Sequence, residues 1–153
     1  MTYDSIHKAL VSVIKRATGR PAVSYENDKE DQKQGCFKLI EDGIASERTS
    51  LGTLSTKVGY IVGYIPESNT RYREECVDFI EKTQCALLSH GIDVDGEATV
   101  FIDKTQSDIN PDIPMAVIIF EAMTVMTYMD APAYDDYENN ENLENLEGEV
   151  YNA

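Results

Sequence analysis

Asp93, Asp95 and Glu97 alternate along Asp93-Val94-Asp95-Gly96-Glu97, the spacing with which a calcium-binding loop begins its run of oxygen ligands. That chemistry needs a glycine at the sixth position for a sharp turn and a bidentate glutamate at the twelfth. Counted from Asp93, those two places hold Ala98 and Lys104. The segment is therefore read as a turn at Asp95-Gly96 leading into a strand. The remaining residues with reactive side chains are His7 and His90, and Cys36, Cys76 and Cys85. A thiol needs an adjacent base to act as a nucleophile, and nothing in the spacing joins any of these five. Both histidines fall at expected helix ends, where a surface position accounts for them.

No Gly-x-Ser-x-Gly elbow, Gly-Lys-Ser/Thr phosphate loop or His-Glu-x-x-His zinc pair occurs. No catalytic set, cofactor or metal is expected, and the chain reads as a protein that is not an enzyme. The cysteines are odd in number and include no Cys-x-x-Cys pair, so reduced thiols in a cytoplasm-like compartment are expected.

Elements must now be found to carry the rest. Lys57 to Leu88 is the clearest stretch: Val58, Tyr60, Val62 and Tyr64 fall on one strand face, and Gly59, Ile61, Gly63 and Ile65 on the other. Pro66 ends the strand, having no N–H for a sheet ladder. Ser68, Asn69 and Thr70 offer oxygens for a helix start, and Cys76, Phe79, Ile80, Thr83 and Leu87 recur at helical spacing. Gly91 is expected to close that helix in a left-handed conformation. Gly59 and Gly63 are expected to admit a helix close to the sheet.

Upstream, Ile6, Leu10, Val13 and Ile14 make the inner stripe of a first helix over Tyr3 to Thr18, closed by Gly19 and Pro21. Short strands are expected at Ala22 to Tyr25 and at Cys36 to Glu41, the second stopped by Asp42-Gly43. Ile44 to Gly52 reads as a loop or an exposed hairpin tip. Downstream, Glu97 to Asp103 reads as a strand and Thr105 to Pro114 as a loop. Met115 to Met129 is a long apolar strand, so its two faces must be covered, or half of it must reach past its own sheet, or it bends midway.

The expected order is α-β-β-β-α-β-β. Strands grouped between helices predict an α+β fold, a mostly antiparallel sheet of four to five strands with two helices on one face.

A chain of 153 residues suits one domain, here 1–129, followed by an acidic, low-complexity tail over 130–153. The net charge is −15. Eight acids from Asp130 to Glu149 face no lysine or arginine, which leaves −7 for the preceding 129 residues. Unassisted binding to nucleic-acid phosphates is disfavoured, because it needs clustered cations. No run of eighteen apolar residues exists and the first ten residues lack a signal-peptide core, so no membrane association is expected. Within the tail, Leu143, Leu146 and Val150 are spaced three and four apart, which suits a short amphipathic helix formed against a partner. Arg71 and Arg73 sit at the end of the second helix where its dipole disfavours cations, and pairing with an acidic neighbouring surface would explain them.

The opening helix YDSIHKALVSVIKRATG, the segment SYENDKEDQKQGCFKLIE, the strand VGYIVGYIP, the run ESNTRYREECVDFIEKTQCALL and the closing strand AVIIFEAMTVM stand in a fixed order. In that order and spacing the chain, over Tyr3 to Met129, resembles the tail terminator proteins of long-tailed bacteriophages, particularly those of phages and prophages of Gram-positive bacteria. It has Gly35-Cys36-Phe37 where the family typically has Pro-Cys-Phe, and Tyr64-Ile65-Pro66 where the family has Tyr-Phe-Pro. The resemblance implies a virion protein at the head-tail junction, assembled in the host cytoplasm. It would form a ring, commonly of six copies, on the last ring of the tail tube protein, stop its polymerisation, and present the joining surface to a head-completion or connector protein. The genome would pass through without specific binding. On that reading Glu41, Asp42 and Glu47 are candidate lumen residues, and Arg48, Arg71, Arg73, Leu143, Leu146 and Val150 are candidate interface residues. The alternative is an acidic DNA mimic that inhibits a nucleic-acid-processing enzyme, although the acids are concentrated in the tail and not spread along one face.

Overall fold

The computed structural model describes residues 2–23 and 33–127. Its elements are α1 (Tyr3–Thr18), β1 (Phe37–Ser50), β2 (Thr53–Tyr64), α2 (Tyr72–Leu88), β3 (Ile92–Val94), β4 (Ala98–Val100), β5 (Thr105–Asn110) and β6 (Met115–Thr127). The fold is α+β, as expected, with a four-stranded, mostly antiparallel sheet in the order β1-β2-β6-β5 and a separate β3-β4 pair. β5 and β6 run antiparallel, Thr105 opposite Phe120 and Asn110 opposite Met115.

α1 forms where the apolar period predicts it. Thr2 caps it through its hydroxyl, which accepts from the Ser5 N–H at 3.1 Å, while the Ser5 hydroxyl accepts from the Thr2 N–H at 2.8 Å. Gly19 closes it in the left-handed region. Ile6, Leu10 and Ile14 are buried against the sheet, each worth about 1.5–3 kcal/mol of transfer free energy.

Both helices lie on one sheet face. The His7 ring of α1 approaches Tyr60 of β2 at 6.2 Å, and Phe79 of α2 stacks on Tyr64 at 4.2 Å and 4° between planes. Tyr60 and Tyr64 share a face by the two-residue strand period. Val58, Val62, Ala116, Ile118 and Phe120 complete that buried layer.

Several expectations are corrected. Asp42-Gly43 does not stop β1, which runs on to Ser50; of the two readings of Ile44 to Gly52 the exposed hairpin tip holds, as the outer part of a β1–β2 hairpin turned at Leu51-Gly52. Main-chain pairing with β2 carries the strand through sequence that is too polar to signal it. Gly59 faces away from the helices. A side chain there would bring its Cβ to 2.5 Å from the Asp42 carbonyl oxygen, so the glycine serves the close approach of β1. Gly91 is not left-handed either: a Cβ would meet Thr99 Cγ2 at 2.3 Å, and α2 ends at Ser89 in a right-handed conformation. Thr105 to Asn110 is a strand and not a loop, while the Glu97 to Asp103 strand shrinks to Ala98–Val100 and a bridge from Phe101 to Met123. Ala22 contributes a single parallel bridge to Phe37, and Ser24 and Tyr25 of that expected strand lie outside the described residues. The observed order is therefore α-β-β-α-β-β-β-β.

The turn reading of Asp93 to Glu97 is borne out. Asp95 and Gly96 both take positive φ, 54° and 71°, in the three-residue connection Asp95-Gly96-Glu97 between β3 and β4, and the Asp93 carboxylate accepts from the Gly96 N–H at 3.0 Å.

Two compact units divide the chain: Met1–Ala45 with Thr56–Thr124, and Ser46–Ser55 with Val125–Ala153. The first holds both helices and the core. Of the second, the described part is the hairpin tip and the end of β6, and Ser46 to Leu51 is exposed throughout.

Candidate interaction surfaces

The strand-to-helix junction between β2 and α2 is organised by one carboxylate. Glu75, in the first turn of α2, accepts from the Tyr64 hydroxyl at 2.5 Å, from the Glu67 N–H at 2.6 Å and from the Ser68 N–H at 3.1 Å. Arg20, from the segment after α1, places its guanidinium 3.6 Å from Glu75 and donates to Glu67 at 2.8 Å. It also lies 5.6 Å above the Tyr64 ring. Burial pushes the Glu75 carboxyl up, but the hydrogen bonds from Tyr64, Glu67 and Ser68 and the Arg20 charge prevail and hold it below the ordinary range. Burial and the bond to Glu75 raise the Tyr64 phenol. The cluster docks α2 on the sheet.

Although it stands in sequence among the charged residues of α2, the Glu75 side chain is only 15 % exposed. An acid in a first helical turn, directly after a strand ending in tyrosine, was the available signal. Ser68 does supply a helix-start oxygen, accepting from the Arg71 N–H at 3.0 Å, although Arg71 itself occupies the cap position without a side-chain bond. His7 is corrected too: it is 5 % exposed, inside the core, and burial lowers its pKa. His90 is exposed as expected. None of the three cysteines is in a disulfide: Cys76 is buried, Cys36 half-buried and Cys85 exposed.

The described candidate residues fall in both compact units. Half-buried Glu41 and exposed Asp42 lie in the middle of β1, within the first compact unit. Glu47 and Arg48 lie at the hairpin tip, in the second, both exposed. Arg71 and Arg73 are exposed at the start of α2, where Arg71 reaches Glu74 at 4.0 Å. Leu143, Leu146 and Val150 lie outside the described residues. No cluster of metal-ligating side chains exists among the described residues, and no described helix is long and apolar enough to cross a membrane.

A different surface emerges from the sheet itself. On the face away from the helices, Ile40 of β1 is 43 % exposed and Ile119 of β6 is 47 % exposed, with Ile61, Val117 and Met123 half-buried around them. The Gly35 N–H bonds to the Ile65 carbonyl and the Ile65 N–H to the Cys36 carbonyl, which by counting along the antiparallel pair sets Ile40 beside Ile61. Among the described residues the helices cover one face of the long apolar strand β6, and its other face contributes to an open aliphatic patch. Gln106 and Asp108, opposite Ile119 and Val117 on β5, give the patch a polar rim.

Comparison with known proteins leaves these surfaces to be read on their own physical terms: no family model matches the chain, and no curated protein matches it.

Proposed function

We propose that this chain is a structural virion protein that caps a phage tail tube as a ring of copies, ends tube polymerisation and forms the joining surface for a head-completion or connector protein. The observation that supports the reading best is the open sheet face centred on Ile40, Ile61 and Ile119, an aliphatic surface with a polar rim of the kind that marks a protein contact. A second copy is its occupant in this reading, since closed rings are built from a single repeated interface. The hairpin tip carrying Glu47 and Arg48 is exposed on every residue from Ser46 to Leu51 and suits contact with the tube or connector.

Acidity fits the passage of a genome. DNA carries about one charge per 1.7 Å of axis, so a lumen bearing Glu41, Asp42 and Glu47 would repel it and resist sticking. Arg48, Arg71 and Arg73 are then the cations available to pair with a neighbour's acidic surface. Six copies is the ring size that the resemblance suggests.

Native mass spectrometry over a concentration series, combined with tail-length measurement in a strain producing Ile119→Lys, tests this. The expected result is an oligomer lost in the variant, with overlong or headless tails. Tails of normal length, together with capture of a nucleic-acid-processing enzyme by the purified chain, would overturn it in favour of the DNA mimic.

A further inference from the structure

α1 is the basic element of an acidic protein. Lys8, Lys15 and Arg16 stand against Asp4 alone, in a chain of net charge −15. Lys8 bonds to Asp4 at 3.0 Å, whereas Lys15 and Arg16 have no ion-pair partner among the described residues. Beside this cationic ridge runs an open cleft of about 790 Å³, bounded by α1, the end of α2 and the β3–β4 turn. Lys8, Ser12 and Arg16 line it at successive helical turns, and Ala9, Val13 and Ala17 do so one residue further round. The small side chains of Ala9 and Ala17, with Ala86 and Ile92 across from them, make the depression apolar. Asp93 and Asp95 line it from the β3–β4 side, so an anionic occupant is oriented with its charge toward α1.

We propose that this cleft receives the C-terminal segment Glu141 to Val150 of a second copy of the chain. The complementarity is in both charge and period. Leu143, Leu146 and Val150 are spaced as one face of a helix, and Glu144 and Glu147 fall along one flank of that face. An aliphatic stripe with an anionic flank meets a small-residue groove with a cationic flank. Thirteen residues lie between Thr127, the last described, and Glu141; the fourteen steps at roughly 3.3 Å each span up to about 46 Å, enough to reach a neighbour. The inference rests on the self-association proposed above.

The test is zero-length carboxylate-to-amine cross-linking of an equal mixture of isotope-labelled and unlabelled full-length chains, followed by peptide mass spectrometry. Mixed-isotope cross-links from Lys8 or Lys15 to Glu141, Glu144, Glu147 or Glu149 are expected. They should fall at least tenfold with Arg16→Glu, weaken at high salt, and return when that variant is mixed with a Glu144→Arg/Glu147→Arg chain. Cross-links confined to one isotope, meaning a tail that lies on its own chain, would overturn the proposal. So would their absence, or indifference to Arg16→Glu. Native mass spectra of the same samples separate the two ideas: an intact oligomer without these cross-links refutes the tail contact alone, and no oligomer at any concentration refutes the self-association with it.

Discussion

Glu75→Gln keeps the size and shape of the side chain while removing its charge and one of its two acceptor oxygens. Glu75 Oε2 accepts from the Tyr64 hydroxyl and the Glu67 N–H, and Oε1 accepts from the Ser68 N–H. The best orientation of glutamine keeps its oxygen on the first pair and turns its amide nitrogen toward the Ser68 N–H, two donors facing each other. One bond is lost and two change from charge-assisted to neutral. With charged bonds worth about 1.5–3 kcal/mol and neutral ones about 0.5–1.5, the lost bond and the two weakened ones together come to about 3.5–6 kcal/mol. The Arg20 attraction adds little, because the Arg20 side chain is 30 % exposed.

For a chain of this size that loss lowers Tm by roughly 10–20 °C, read by calorimetry or circular dichroism at neutral pH. The sign of the pH dependence follows from linkage. The folded Glu75 pKa is depressed, so its stabilisation is present above the ordinary carboxylate range and is lost as pH falls through the folded value. The gap between wild type and Glu75→Gln should therefore narrow progressively below about pH 4. Glu74→Gln, on the solvated side of the same turn, should change stability by no more than about 0.5 kcal/mol. A Tm for Glu75→Gln within a degree of wild type would refute the reasoning. A deficit that stays constant down to pH 3 would show that charge is not its source.

Three further outcomes are expected. Gly59→Ala forces its new Cβ to within 2.5 Å of the Asp42 carbonyl oxygen, so urea unfolding should show a loss of about 1–3 kcal/mol, and parity would mean that β1 yields at no cost. His7 is buried with a lowered pKa, so the unfolded chain takes up its proton first; stability should decline as pH falls below about 6.5, and that limb should flatten in His7→Leu, measured by denaturant titration across pH 5 to 8. Charge reversal at both Arg71 and Arg73, exposed and outside the core, should leave Tm within a few degrees but reduce assembly measured by native mass spectrometry; unchanged assembly would remove both from the interface.

The elements that could be read from the residues were those where one periodicity dominates. α1 was legible because its apolar stripe and closing glycine agree. The inward face of β2 was legible because tyrosine and valine alternate strictly with glycine and isoleucine. β5 was not: Thr105 to Asn110 is polar, half-exposed and rich in turn-forming residues, and only pairing with β6 holds it extended. The outer half of β1 was missed for the same reason. For the candidate sites, the exposed positions of Arg71, Arg73 and Glu47 followed from composition.

The sequence by itself determined the class of fold, both helices, the inward face of β2, the Asp95-Gly96 turn and the concentration of acid beyond Met129, because each depends on residues close together in the chain. Only the tertiary structure decided that Glu75 turns inward to meet Tyr64 and Arg20, that Gly59 serves a neighbouring strand, that His7 is buried, and that a cationic cleft lies beside α1. Each of these depends on residues brought together from distant positions, whose proximity arises from packing and leaves no period in the chain.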